Sequence, residues 1–180
     1  MPTYHQMHQH STPQSSDDNQ VSEAAWDYLY LEVVSMEQRL FRTDADIETS
    51  YSKLELLGFR VGYGMAERAT KDRPRFVDTL DIIKFICKEM WISVFKKQVD
   101  NLKTNHRGVF VLVDNNFRWL SRMASDTLTG DAAKSIISDH LALPCGIIRG
   151  TLASLGVSAV VVAETPSLPQ CTFQIKLSKK

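Results

Sequence analysis

The residues able to do chemistry in this 180-residue chain are few, and their spacing argues against a reactive centre. The three cysteines, Cys87, Cys145 and Cys171, each lie inside an apolar segment, and no two have the spacing of metal ligands or of a redox pair. Thiols in such surroundings are buried, protonated and inert, and the pattern fits a reducing compartment. His106 stands between Asn105 and Arg107, so a Cys–His pair exists by residue type, but buried structural cysteines make poor nucleophiles. His140 reads as a lone loop residue. His5, His8 and His10 fall in a floppy tail, whereas a metal site needs partners that fix its ligands. Gly62-x-Gly64-x-x-Glu67 imitates a phosphate-binding loop, yet it lacks the third glycine and follows no strand. Asp126 and Asp131 belong to a loop with no phosphate-gripping partner. Trp91 and Trp119 lack the basic and aromatic alternation of a base-stacking platform and read as core. The sequence thus predicts no catalytic residue, no cofactor and no metal site: this is not an enzyme by its residues.

The elements around these residues are more informative. Acidic and basic residues balance at 21 each, which leaves no footprint for nucleic acid. The start of the chain has no basic-then-apolar signal, and the longest apolar runs are too short to span a bilayer. The expected location is cytoplasmic. Residues 1–21 are rich in His, Gln and Ser and poor in apolar side chains, so they are expected to be a disordered tail before a single domain over 22–180.

The clearest helix begins at Asp78, with Leu80, Ile83, Cys87, Met90 and Val94 as its stripe and Asp81, Lys84 and Lys88 as its wet face. Ahead of it, a helix from Ser22 to about Phe41 carries one stripe of Trp26, Leu29, Val33, Met36 and Leu40 and a flanking one of Tyr28, Leu31 and Val34. A second, capped by Asp46, aligns Ile47, Tyr51, Leu54, Gly58, Val61 and Met65. Gly58 and Gly62 are four apart, as are Gly146 and Gly150; helical glycine is costly, so each pair predicts a close backbone approach. Strands are expected at Val109 to Asp114, Phe117 to Leu120, Val157 to Glu164 and Cys171 to Leu177. A last helix is expected from Pro144, at its first position, to Gly156. The predicted class is α+β: an antiparallel four-stranded sheet with α-helices packed on one face.

LLGFRVGYGMAER (Leu56 to Arg68), DIIKFICKEMW (Asp81 to Trp91), KKQVDNLKTNHRGVFVLVDNNF (Lys96 to Phe117) and LPCGIIRGTLASLG (Leu143 to Gly156) together resemble a small subunit of TRAPP, the multisubunit vesicle-transport particle. The similarity is to its subunit six group and runs from Ala24 to Leu177. It implies a scaffold role in a complex that tethers vesicles at Golgi and ER membranes and acts as exchange factor for a Rab-type GTPase. It also implies a heterodimer with a paralogous, acylatable core subunit, formed through the first two helices, or a homodimer when that partner is absent. Trp26, Leu29, Tyr30, Val33, Met36 and Leu40 of the first helix are the expected interface, with Leu54, Gly58, Val61, Gly62 and Met65 of the second. The family's acyl-bearing cysteine corresponds here to Arg73, so S-acylation is expected to be absent at that place. Membrane contact would then be peripheral and through the complex. The alternative is an apolar-ligand, or lipid, binding module of the same fold, with a cavity among Ile83, Phe85, Trp91, Ile147 and Leu152.

Overall fold

The computed structural model describes residues 22–40, 44–105, 107–121 and 131–178. In chain order the elements are α1 (Glu23–Leu40), α2 (Asp44–Thr70), α3 (Thr79–Phe85), a π-helical turn (Ile86–Met90), α4 (Trp91–Phe95), β1 (Asn101–Thr104), β2 (Val109–Asp114), α5 (Arg118–Ser121), α6 (Asp131–Ser154), β3 (Ala159–Glu164) and β4 (Cys171–Leu177). The expected disordered tail over 1–21 lies outside the described residues.

The sheet is antiparallel with strand order β1-β2-β4-β3. Period-two alternation buries Phe110, Leu112 and Asp114 of β2 and Cys171, Phe173 and Ile175 of β4 on one face. The central helical segment from α3 to α4 contributes Ile82, Ile83, Phe85, Ile86, Cys87, Met90, Trp91, Val94 and Phe95 to the same core. Asp78 caps it by accepting the Asp81 amide at 2.8 Å. Trp91, Phe95, Phe117, Trp119 and Phe173 form the aromatic centre, largely in edge-on and tilted pairs. Asp114, fully buried, accepts from Trp91 Nε1 at 2.9 Å and from Lys97 Nζ at 2.6 Å, which compensates its desolvation. Leu80, expected on the inner stripe, is exposed.

The two glycine pairs find each other. A Cβ on Gly58 would stand 2.1 Å from the Leu143 carbonyl oxygen, and one on Gly62 2.1 Å from that of Ile147. Reciprocally, a Cβ on Gly146 would meet the Glu55 oxygen and one on Gly150 the Phe59 oxygen, both at 2.0 Å. Helices α2 and α6 therefore cross backbone on backbone. Arg149 Nε reinforces the crossing by donating to Glu55 at 2.7 Å.

Several sequence expectations are corrected. Phe117 to Leu120 is not a strand: Leu120 and Ser121 donate to the Phe117 carbonyl at 3.1 and 2.9 Å, closing a helical turn that buries Phe117, Trp119 and Leu120 together. Strand alternation could not bury two adjacent residues on one face, and a short apolar run does not distinguish the two states. The fourth strand is instead β1, a polar edge strand with little hydrophobic signal. Helix α2 opens at Asp44, so Asp46 sits inside its first turn rather than before it. Asp131 belongs to α6, and α6 begins well before Pro144, which is internal to it.

Proline inside a helix strips the carbonyl four residues back of its partner, here that of His140. Tyr30 of α1 supplies the missing donor: its hydroxyl lies 2.7 Å from the His140 oxygen. His140 is thus a buried helical residue, not a loop one, and its Nδ1–H donates back to the Tyr30 oxygen at 3.0 Å. Tyr30→Phe should leave that carbonyl unpaired in the core and cost about 1–3 kcal/mol. Chemical denaturation checks it; an unchanged midpoint would remove the role assigned to Tyr30.

Candidate functional site

No reactive centre forms among the described residues that the sequence singled out. Burial pushes the Cys87 and Cys145 thiols up to about 12 and raises Cys171 further, so all three stay protonated. His106, Asp126, His5, His8 and His10 lie outside the described residues. Burial lowers His140 to about 4 from its ordinary 6.5. The imidazole is neutral in the fold and must gain its proton on unfolding below pH 6.5. Its contribution is complete above pH 6.5 and is lost as pH falls toward 4, by up to about 3 kcal/mol. Asp139 beside it, raised by desolvation, works in the opposite sense at the acid end of that window. Melting temperatures at pH 7, 5.5 and 4.5 should therefore fall more steeply for the native chain than for His140→Gln; equal slopes would remove His140 as the cause.

What the structure presents instead is an apolar surface on α1 and α2. Helix α1 touches the body along a narrow line. Asp27 is buried and accepts from Arg118 Nη2 at 3.0 Å. One turn on, Tyr30 stacks on Trp119 with ring centroids 3.9 Å apart. Val34 continues the line, and Gln38 donates to Asp139 at 2.9 Å. This line has the i, i+3, i+4 spacing of one helix face, so the residues beside it turn outward. Trp26, Leu29, Met36 and Leu40 are exposed, Leu40 to 64 %, and Val33 is half-buried.

The expected interface residues divide accordingly. Tyr30, Leu54, Gly58 and Gly62 are covered by the chain itself: Tyr30 by α5 and α6, and the two glycines by α6. Val61 and Met65 are half-buried against the core. Exposed Tyr28, Leu56, Leu57 and Tyr63 lie outside the interface expected from sequence. The signal that could have found those on α2 is their offset from the glycines. Once Gly58 and Gly62 face α6, Leu56 and Tyr63, seven residues apart, share a different face.

Between the two helices opens a pocket of about 390 Å³, lined by Ala25, Trp26 and Leu29 of α1, Val61 and Met65 of α2, Val94 of α4 and Ile147 of α6. Lys96 and Arg118 also line it. Of the five residues expected around a ligand cavity, Ile147 lines this pocket; Ile83, Phe85, Trp91 and Leu152 are buried in the core. The Arg73 guanidinium lies 5.1 Å from the Phe76 ring centre and 5.2 Å from that of Phe85, and pairs with Glu89 at 2.5 Å. No helix among the described residues is long and apolar enough to cross a membrane.

The family model of transport protein particle (TRAPP) components matches residues 26–178. The chain is 44 % identical over 157 residues to trafficking protein particle complex subunit 6b of Danio rerio, covering 87 % of this chain and 98 % of that protein. It is 52 % identical over 128 residues to subunit 6B of Homo sapiens, covering 71 % and 78 %. Among solved structures, a trafficking protein particle complex subunit 3 from Naegleria fowleri, covalently bound to palmitic acid, shares the fold at 13 % identity with a TM-score of 0.68, covering 88 % of this chain and 98 % of that one. With most of its length matched by the family model and by these relatives, the chain belongs to the TRAPP family of transport-particle components, in the subunit 6 group.

Proposed function

We propose that this chain is a non-catalytic scaffold subunit of the TRAPP vesicle-tethering and Rab-GTPase exchange complex in ER-to-Golgi and Golgi trafficking. It pairs through α1 and α2 with a paralogous, acylatable small subunit, is cytoplasmic, and reaches the membrane only through the complex. The observation that carries this reading is the set of exposed large apolar residues on those two helices, Trp26, Tyr28, Leu29, Met36, Leu40, Leu56, Leu57 and Tyr63. So many on one helix pair exceed the scattered singles of an ordinary monomer surface. A stable interface there would bury about 1,200–2,000 Å² in total. Arg73, whose guanidinium rests against the adjoining Phe76 and Phe85 rings, is the residue that the family resemblance sets at the acyl cysteine's position, and an arginine cannot form a thioester.

Coexpression with each paralogous small subunit followed by light scattering tests it. A heterodimer with one of them is expected, and a homodimer for the chain alone. A monomer indifferent to every paralogue would sink the reading.

The pocket of about 390 Å³ favours a second reading, an apolar ligand held between α1 and α2. Solvent extraction and mass spectrometry of the purified protein would then recover a lipid at near-stoichiometric yield, and none if the pocket serves only the partner.

A further inference from the structure

The sheet has two edges, and only one is protected. β1 is four residues long and carries Lys103, the short and charged form in which exposed edges normally occur. β3 is six residues long, AVVVAE, with no lysine, no proline and no charge before Glu164. Among the described residues it pairs with β4 alone. Ser178 N–H donates to the Ser158 carbonyl at 2.9 Å, which makes Ser158 and Ser178 a hydrogen-bonded pair. Antiparallel pairs alternate, so Val160, Val162 and Glu164 bond to β4, and Ala159, Val161 and Ala163 aim their N–H and C=O groups away from the sheet. Among the described residues no backbone or side-chain partner meets those groups. The outer face of the same strand carries Val160 and Val162, 57 % and 43 % exposed.

We propose that β3 is a second docking surface, which accepts an extended segment of another TRAPP subunit as a fifth strand of the sheet. The occupant's chemistry is set by what it must satisfy. Three outward N–H groups and three outward carbonyls call for a β backbone rather than a helix. Val160 and Val162 call for β-branched or aromatic residues at alternate positions of the incoming strand. The small, half-buried Ala159 and Ala163 leave room for larger inward side chains beside them. A component of a multisubunit particle needs more than one contact unless it is terminal, and β3 is distinct from the α1 and α2 surface. The proposal rests on membership of the family and not on the heterodimer reading.

Hydrogen exchange resolved to single amides, on the isolated chain and on the purified assembly of coexpressed TRAPP small subunits, tests it. The Ala159, Val161 and Ala163 amides should exchange rapidly in the isolated chain and at least tenfold more slowly in the assembly; those of Val160 and Val162 should be slow in both. Ala163→Pro removes an outward N–H while sparing the ladder to β4, and Val162→Lys restores edge protection without altering the backbone. Both should weaken incorporation into the assembly at least tenfold while heterodimer formation through α1 and α2 persists. Unchanged exchange at all three amides overturns the proposal, and so does normal incorporation of both variants. Slowing that appears in the isolated chain and grows with its concentration would make a second copy the occupant, and would also overturn it.

Discussion

Gly150→Val should cost about 3 kcal/mol or more and deprive α2 of its support on α6. The first atom of any side chain at Gly150 stands 2.0 Å from the Phe59 carbonyl oxygen and 2.8 Å from its carbon. Both are backbone atoms, so no rotamer change relieves the overlap, and the helices must part by about an ångström along a crossing where packing is already tight. Gly62→Val meets the Ile147 backbone in the same way and should behave alike. Gly64 is the internal control. Nothing lies within 4 Å of a Cβ placed there, and its φ is not in the left-handed region. Gly64→Ala should therefore stabilise α2 by about 0.5–1 kcal/mol through the helix propensity alone. Denaturation midpoints of the three variants, compared with the native chain, decide the matter. Similar small shifts for Gly150→Val and Gly64→Ala would show that the crossing is not as close as described.

The other large effect concerns association. Trp26→Ala combined with Leu29→Asp should raise the heterodimer dissociation constant at least about thirtyfold, since central aromatic and apolar anchors are worth roughly 2 kcal/mol or more. Both side chains are exposed in the isolated chain and both line the pocket between α1 and α2. The fold of the isolated chain should be preserved, because the anchoring line of Asp27, Tyr30 and Val34 is untouched. Val160→Lys, on the outer face of the sheet, is the matched control and should leave heterodimer affinity unchanged. Equal affinity for the double variant and the native chain would move the interface elsewhere. Loss of affinity in both variants would point to a general fault of folding instead.

The Tyr30–His140 junction explains why α1 can be so exposed and still hold its place. The hydroxyl fills a vacancy that Pro144 leaves in α6, and the Asp27–Arg118 pair adds a buried, charge-assisted anchor near the start of the same helix. With polar anchors at its narrow contact line, α1 does not need its wide apolar arc for its own attachment. Trp26, Leu29, Met36 and Leu40 are thereby left exposed.

Local pattern alone fixed the period-two strand Cys171 to Leu177, the buried strand Val109 to Asp114, the central helix beyond Asp78 and the stop at Gly156, because each depends on residues a few positions apart. It also predicted that glycines four apart mean a close approach. It could not say that the two pairs approach one another, since that contact joins residues about ninety positions apart. The course of α6 through Pro144 was illegible for the same reason. A helix carries proline only where a distant group replaces the lost hydrogen bond, and Tyr30 is 110 residues away from His140. The candidate surface divided likewise. Sequence supplied two greasy helices; the glycine crossing and the tyrosine anchor chose which sides of them are hidden, because burial is settled by long-range packing and not by the composition of a helix.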